Sequence, residues 1–232
     1  MKKQILIVED EIRMRMLLKD YFEKEDFNIL EADNGITALN IFKKDEKNIS
    51  LIILDLMMPL MDGFTLCKSI RDISYIPIII LTARSSDDDK LLGYDLGADD
   101  YVTKPFSPKI LVAKAKALLK RSTSLENNNI TYKNIHGLVI NTASHEVYVN
   151  EEEIYLTPNE YNLLLYLMQN QGISLSRDKI LDNVWGIDYY GDPRTVDTTI
   201  KRLREKLKEK SSFISTVRGS GYKFEVKIWK KI

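Results

Sequence analysis

The 232-residue sequence has one cysteine and two histidines. With Cys67 alone, no disulfide can close within the chain. Cys67 with His136 and His145 also falls short of the four ligands of a structural zinc site. Six prolines and ten glycines are too few for a collagenous or low-complexity chain. The longest apolar runs, such as 76–81, are far shorter than the roughly 20 residues of a membrane-spanning helix. The start, Met1-Lys2-Lys3, is basic, but the apolar stretch 5–8 meets Glu9 and Asp10 at once, which fits no signal peptide. A soluble, cytoplasmic protein without a membrane partner is expected. An apolar content of 44% over this length is enough for one or two ordinary cores.

Charge of one sign is also missing overall, since 34 basic residues stand against 34 acidic ones. That balance hides a pattern. Residues 1–121 carry 19 basic and 20 acidic residues, 122–193 carry 3 and 10, and 194–232 carry 12 and 4. A basic segment directly after an acidic one points to a polyanionic partner for the C-terminal part, nucleic acid above all.

The first half repeats one unit. Apolar runs at 5–8, 27–30, 51–54, 76–81 and 101–102 begin every 22 to 25 residues and alternate with segments of helical period such as Met14, Leu17, Leu18, Tyr21 and Phe22. Strands buried on both faces read as continuous apolar runs, and parallel strands need helical crossovers. The expectation is an α/β domain over 1–121, a doubly wound, five-stranded parallel sheet of flavodoxin-like order closed by a helix over 107–121. The polar segment RSTSLENNN at 121–129 reads as a linker, placed at 122–129. Residues 130–232 read as an α+β domain. Short strands precede a helix opened by Thr157-Pro158-Asn159-Glu160, a capping box with proline at the first helical position. A second helix covers about 176–184 and a third begins near Asp192-Pro193. Apolar pieces at 213–217 and 222–226 flank Arg218-Gly219-Ser220-Gly221 as a hairpin. That order is the outline of a winged helix.

In an open parallel sheet ligands bind beyond the carboxyl ends of the strands, at the switch in strand order. Glu9 and Asp10 follow the first run, Asp55 ends the third, Thr82 ends the fourth and Lys104 follows the fifth. An order 2-1-3-4-5 brings three carboxylates into one crevice, which costs repulsion unless a cation is present, and oxygen ligands suit Mg²⁺. One such carboxylate can act as a nucleophile toward phosphate, with metal and ammonium neutralising the developing charge.

These residues resemble a known family. Val8-Glu9-Asp10-Glu11, Leu54-Asp55-Leu56-Met57-Met58-Pro59, Leu81-Thr82-Ala83 and the stretch from Gly97 to Phe106 (GADDYVTKPF) resemble the receiver domain of two-component response regulators. Val184-Trp185-Gly186, Arg194-Thr195-Val196-Asp197 and Arg218-Gly219-Ser220-Gly221-Tyr222 resemble the winged-helix effector of the OmpR/PhoB type. The resemblance implies a phosphorylation-controlled, DNA-binding transcription regulator rather than an enzyme. Asp55 would accept a phosphoryl group from a sensor histidine kinase, and Glu9, Asp10, Asp55 and the Met57 carbonyl would hold Mg²⁺. Lys104 would pair with the phosphoryl oxygens, its bond to Pro105 being cis. Thr82 would close on the group and Tyr101 would turn inward. The resemblance further implies a homodimer on phosphorylation, through Asp100–Lys114, Asp99–Arg121 and Lys90, with Ile110 where a Glu partner of Lys90 is usual.

At about 100° per residue the third effector helix buries Val196, Ile200, Leu203 and Leu207 and turns Arg194, Thr198, Lys201, Arg202 and Glu205 outward, a face that fits a major groove. The resemblance assigns base contact in double-stranded promoter DNA to Asp197, Thr198 and Arg202. It assigns phosphate contact to Arg194, Lys201 and Arg204, and minor-groove contact to Arg218. Thr198 and Thr199 stand where Val and His are frequent in the family, which implies a different sequence read. The segment 186–193, with Asp188, Tyr189, Tyr190 and Asp192, reads as a loop with exposed aromatics, and the family uses it toward RNA polymerase. An aspartyl-nucleophile phosphatase fits less well, because Asp10-Glu11-Ile12 lacks the second acid of an Asp-x-Asp pattern. A vestigial receiver fits less well too, because no acidic ligand and no lysine is missing.

Overall fold

The computed structural model describes residues 2–83, 97–121, 133–186, 189 and 193–226. The chain divides into two compact units, Met1–Thr123 and Ser124–Ile232. The linker expected at 122–129, Lys90, Asp188, Tyr190, Asp192 and the tail after 226 lie outside the described residues.

In the first unit the apolar runs are strands: β1 (Gln4–Val8), β2 (Asn28–Ala32), β3 (Ile49–Asp55), β4 (Ile78–Thr82) and β5 (Asp100–Thr103). They pair in parallel in the order β2-β1-β3-β4-β5. The described helices are α1 (Ile12–Glu23), α2 (Gly35–Asp45), α3 (Gly63–Arg71) and α4 (Pro108–Arg121). Ile5 to Val8 and Leu51 to Leu54 are fully buried, as continuous runs covered on both sides must be. Ile5, Ile7, Leu51 and Ile53 form one core with Leu18 and Phe22 of α1 and Leu111, Ala115 and Leu118 of α4. Cys67 is buried filler on α3. Caps fix where helices begin: Asn34 accepts from Thr37 N at 2.9 Å and Asp62 from Thr65 N at 2.8 Å.

The second unit opens with an antiparallel sheet of β6 (Lys133–Ile135), β7 (Leu138–Asn141), β8 (Glu146–Val149) and β9 (Glu152–Ile154). Helices α5 (Pro158–Gln169), α6 (Arg177–Val184) and α7 (Arg194–Leu207) follow, then the hairpin β10 (Ile214–Val217) and β11 (Gly221–Phe224). The capping box forms as expected. The Thr157 hydroxyl accepts from Glu160 N, and the Glu160 carboxylate accepts from Thr157 N at 2.9 Å. The core joins Leu163, Leu164, Leu167 and Met168 of α5 to Val196, Ile200, Leu203 and Leu207 of α7 and to Phe224 of the hairpin. Among the described residues no helix is long and apolar enough to cross a membrane.

Candidate functional site

Because β1 and β3 are neighbours, their carboxyl ends bring Glu9 and Asp55 together, and Lys104 reaches in from beyond β5. Lys104 Nζ donates to Glu9 Oε2 at 2.7 Å and to Asp55 Oδ2 at 2.8 Å. Glu9 and Asp55 are 1% and 4% exposed, whereas Asp10 is open to solvent. One oxygen from each of Glu9, Asp10 and Asp55 lies within 4.8 Å of the others. These hard oxygen donors around one point, three carboxyl groups beside a single ammonium, fit a small divalent cation. Burial, opposed by the bond from Lys104 and reinforced by the charge of Asp55, pushes the Glu9 carboxyl up to about 7. Burial works against the Lys104 ammonium, yet its bonds to Asp55 and Glu9 outweigh that and raise its pKa.

The other expected receiver residues surround this cluster. Met57 N donates to Asp55 Oδ1 at 3.3 Å. Thr82 is buried at the end of β4, and its carbonyl accepts from Lys104 N at 2.7 Å. Tyr101 is buried on β5, and the Lys104–Pro105 bond is cis. Two contributors escaped the sequence reading. Arg15 Nη1 donates to the Glu9 carbonyl at 2.6 Å and so ties α1 to the acidic loop. Its signal was weak, a basic residue one helical turn after Glu11. Gly63 is the second: a Cβ there would stand 2.2 Å from the Asp55 carbonyl oxygen, so only glycine lets α3 start this close. The Asp62-Gly63 pair carried that signal.

Three of the expected dimer groups form bonds within their own domain. Asp99 is buried and accepts from Arg71 Nη2 at 3.0 Å and from Ile78 N at 3.0 Å. Lys114 Nζ donates to both Asp100 oxygens, at 3.0 and 2.9 Å, within one chain. Asp99, just before β5, thus meets α3 through Arg71, and Asp100, at the start of β5, meets α4 through Lys114. Ile110 is 56% exposed on α4.

In the effector, α7 presents exposed Arg194 and Lys201 and half-buried Thr198, and Arg218 is exposed on the turn between β10 and β11. Three residues expected at DNA also meet protein partners. Asp197 Oδ1 accepts from Arg177 Nε and from the Tyr222 hydroxyl, both at 2.7 Å. Arg202 Nε lies 3.5 Å from Glu160 Oε1, beside Lys206 Nζ at 2.5 Å from Oε2. Arg204 Nη2 donates to the Ile214 carbonyl at 2.8 Å and to Thr216 Oγ1 at 2.9 Å. A buried carboxylate on α5 attracts a long side chain that helical period alone assigns to solvent. Thr199, expected to influence the sequence read, is buried and donates to the Thr195 carbonyl at 2.8 Å. Tyr189, expected to be an exposed aromatic, packs 6.1 Å from the Trp185 ring, and its hydroxyl meets Thr195 Oγ1 at 3.3 Å. Burial first, then the bond to Asp197, raises the Tyr222 pKa.

Comparison with known proteins agrees with both halves. Residues 5–116 match the response regulator receiver domain, and residues 151–224 match the C-terminal domain of transcriptional regulatory proteins. The transcriptional regulatory protein SrrA of Staphylococcus aureus is 45% identical over 236 residues, covering 98% of this chain and 97% of its own. Among solved structures, a RitR mutant is 28% identical with a TM-score of 0.77, covering 97% of this chain and all of its own. The response regulator DrrB of Thermotoga maritima, an OmpR/PhoB homologue, is 30% identical with a TM-score of 0.50 over the same shares. Two domain matches in the expected order and a transcriptional regulator alike over nearly its full length lead to one assignment: this chain belongs to the two-component response regulators of the OmpR/PhoB type, transcriptional regulators that join a receiver to a DNA-binding domain.

Proposed function

We propose that Asp55 is the phosphoacceptor through which a sensor histidine kinase controls DNA binding by the effector. The observation that carries this is Lys104 held between Glu9 and Asp55 with Asp10 alongside. The Asp55 carboxylate attacks phosphorus as the P–N bond of the donor phosphohistidine breaks, and the donor nitrogen keeps the electron pair. Lys104 follows the new phosphoryl oxygens and neutralises part of their charge. Glu9, Asp10, Asp55 and the Met57 carbonyl would hold Mg²⁺, which would supply the remaining neutralisation. Thr82 closes on the phosphoryl group and Tyr101 fills the space behind it. The transfer is autocatalysed on the protein's own residue, in the cytoplasm.

Phosphorylation then promotes a homodimer across the receiver face that carries Asp100, Ile110 and Lys114. Exposed Ile110 supplies apolar contact there, and surface pairs contribute only about 0–1 kcal/mol each. Arg194, Thr198, Lys201 and Arg218 meet promoter DNA arranged as a direct repeat, with half-sites roughly 10–11 bp apart. The segment 186–193 faces RNA polymerase. Acetyl phosphate with Mg²⁺ tests the central claim: the wild type takes up one phosphoryl group per chain, labile to alkali and hydroxylamine, and Asp55→Asn takes up none. Undiminished labelling of that variant refutes Asp55 as the acceptor.

A further inference from the structure

The hairpin of the effector is fastened by backbone to the segment leading into α6. Leu175 N donates to the Tyr222 carbonyl at 2.9 Å, Tyr222 N to the Leu175 carbonyl at 3.0 Å, and Gly172 N to the Phe224 carbonyl at 2.8 Å. These bonds make 172–177 and β11 one frame. Tyr222 lies next to the turn, since the register pairs Thr216 with Tyr222 and Val217 with Gly221. The turn that displays Arg218 is therefore held by the same frame.

The first turn of α7 joins this frame through the side chain of Asp197. Its Oδ1 takes two hydrogen bonds, from Arg177 at the start of α6 and from the Tyr222 hydroxyl of β11. The Arg177 guanidinium also lies 5.1 Å over the Tyr222 ring, so the three groups close a triangle across three elements. Two donors on one oxygen fix the direction of a carboxylate, and the Arg177 charge offsets the repulsion that an aspartate meets beside phosphates. Further along α7, Arg204 grips β10 through Ile214 and Thr216. The reading helix is thus bolted to both strands of the hairpin.

We propose that Asp197 is a positioning residue: it fixes the first turn of α7 against the wing, so that the helix and Arg218 engage the duplex as one rigid unit, and it does not itself read a base. Asp197 plays this part only if α7 is the DNA-contacting helix, as read above. A base reader would lose preference at one position when changed. A positioning residue would lose affinity for all good sites alike and would uncouple the wing from the helix.

The experiment is a double-mutant cycle on the full chain, with DNA selected from a random pool by the wild type. Arg218→Ala should weaken wild-type binding about tenfold, the worth of one good groove contact. Asp197→Asn should itself weaken binding about tenfold and select the same sequence. In that background Arg218→Ala should cost only about twofold, because the wing no longer arrives where Arg218 can reach. Tyr222→Phe, which removes only the donor hydroxyl, should give the same pattern more weakly and serves if Asp197→Asn does not fold. A changed base at one selected position, or an equal Arg218→Ala loss in both backgrounds, overturns the proposal. Hydrogen exchange without DNA separates the lock from the DNA reading. Amides of 214–224 and of the first turn of α7 should exchange faster in Asp197→Asn, while those of 133–154 stay unchanged. Unaltered exchange at 214–224 refutes the lock, whereas a wild type that selects no sequence refutes the reading of α7.

Discussion

Both halves of the molecule bury carboxylates beside basic side chains, but the balance of charge is opposite. In the receiver Glu9, Asp10 and Asp55 share Lys104, so negative charge is in excess at one point. In the effector Glu160, 1% exposed, faces both Arg202 and Lys206, and Asp197 takes Arg177 and the Tyr222 hydroxyl. The first arrangement is incomplete and gains from an arriving cation. The second is closed, and its charges hold helices and hairpin in place. Burial of a carboxylate therefore does not by itself mark a reactive site; the local sum of charge does.

Three sets of variants break or sharpen this contrast. The largest effects should come from glycines that admit no Cβ. Gly221→Ala puts a Cβ 2.1 Å from the Leu175 carbonyl oxygen at a φ of +141°, and Gly63→Ala puts one 2.2 Å from the Asp55 carbonyl oxygen. Each should cost about 3 kcal/mol or more, seen in urea unfolding with local hydrogen exchange, Gly221→Ala in 133–226 and Gly63→Ala in 2–121. Glu160→Gln keeps the cap but removes the charge facing Arg202 and Lys206, and should cost about 2 kcal/mol by the same measurement. Glu9→Gln in a metal-free buffer removes one of three mutually repelling carboxylates and leaves Lys104 an acceptor, so stability should stay within about 1 kcal/mol of wild type. If Glu9→Gln proved as damaging as Glu160→Gln, the contrast between an incomplete and a closed site would fail.

Much of this was legible in the sequence because the signals were short-range. Continuous apolar runs gave the five parallel strands, and Thr157 with Glu160 gave the start of α5 through a motif that closes within one turn. The cluster of Glu9, Asp10, Asp55 and Lys104 followed from strand ends, once the order of strands was inferred. The destinations of long side chains were not legible. Helical period places the Cα of Arg202 on the outer flank of α7, but its guanidinium can travel several ångströms, and the attraction of Glu160, 42 positions earlier, decides where it goes. Asp99 and Asp100 posed the same difficulty at the start of a strand. Their place in the sequence does not say that Arg71 waits for one and Lys114 for the other.

Glu160 has a further consequence, for the ions around the protein. A duplex gains much of its affinity for a basic surface by shedding condensed counterions, about 0.9 per phosphate neutralised. A cation already bonded to a carboxylate neutralises no phosphate unless that bond is given up. Of the twelve basic residues from 194 onward, Arg202 and Lys206 belong to Glu160, Lys208 to Glu152 and Lys223 to Glu225. The ion release on docking is therefore smaller than the basic count of this segment suggests, and binding should survive a rise in ionic strength that would strip a surface of twelve uncompensated cations from the duplex.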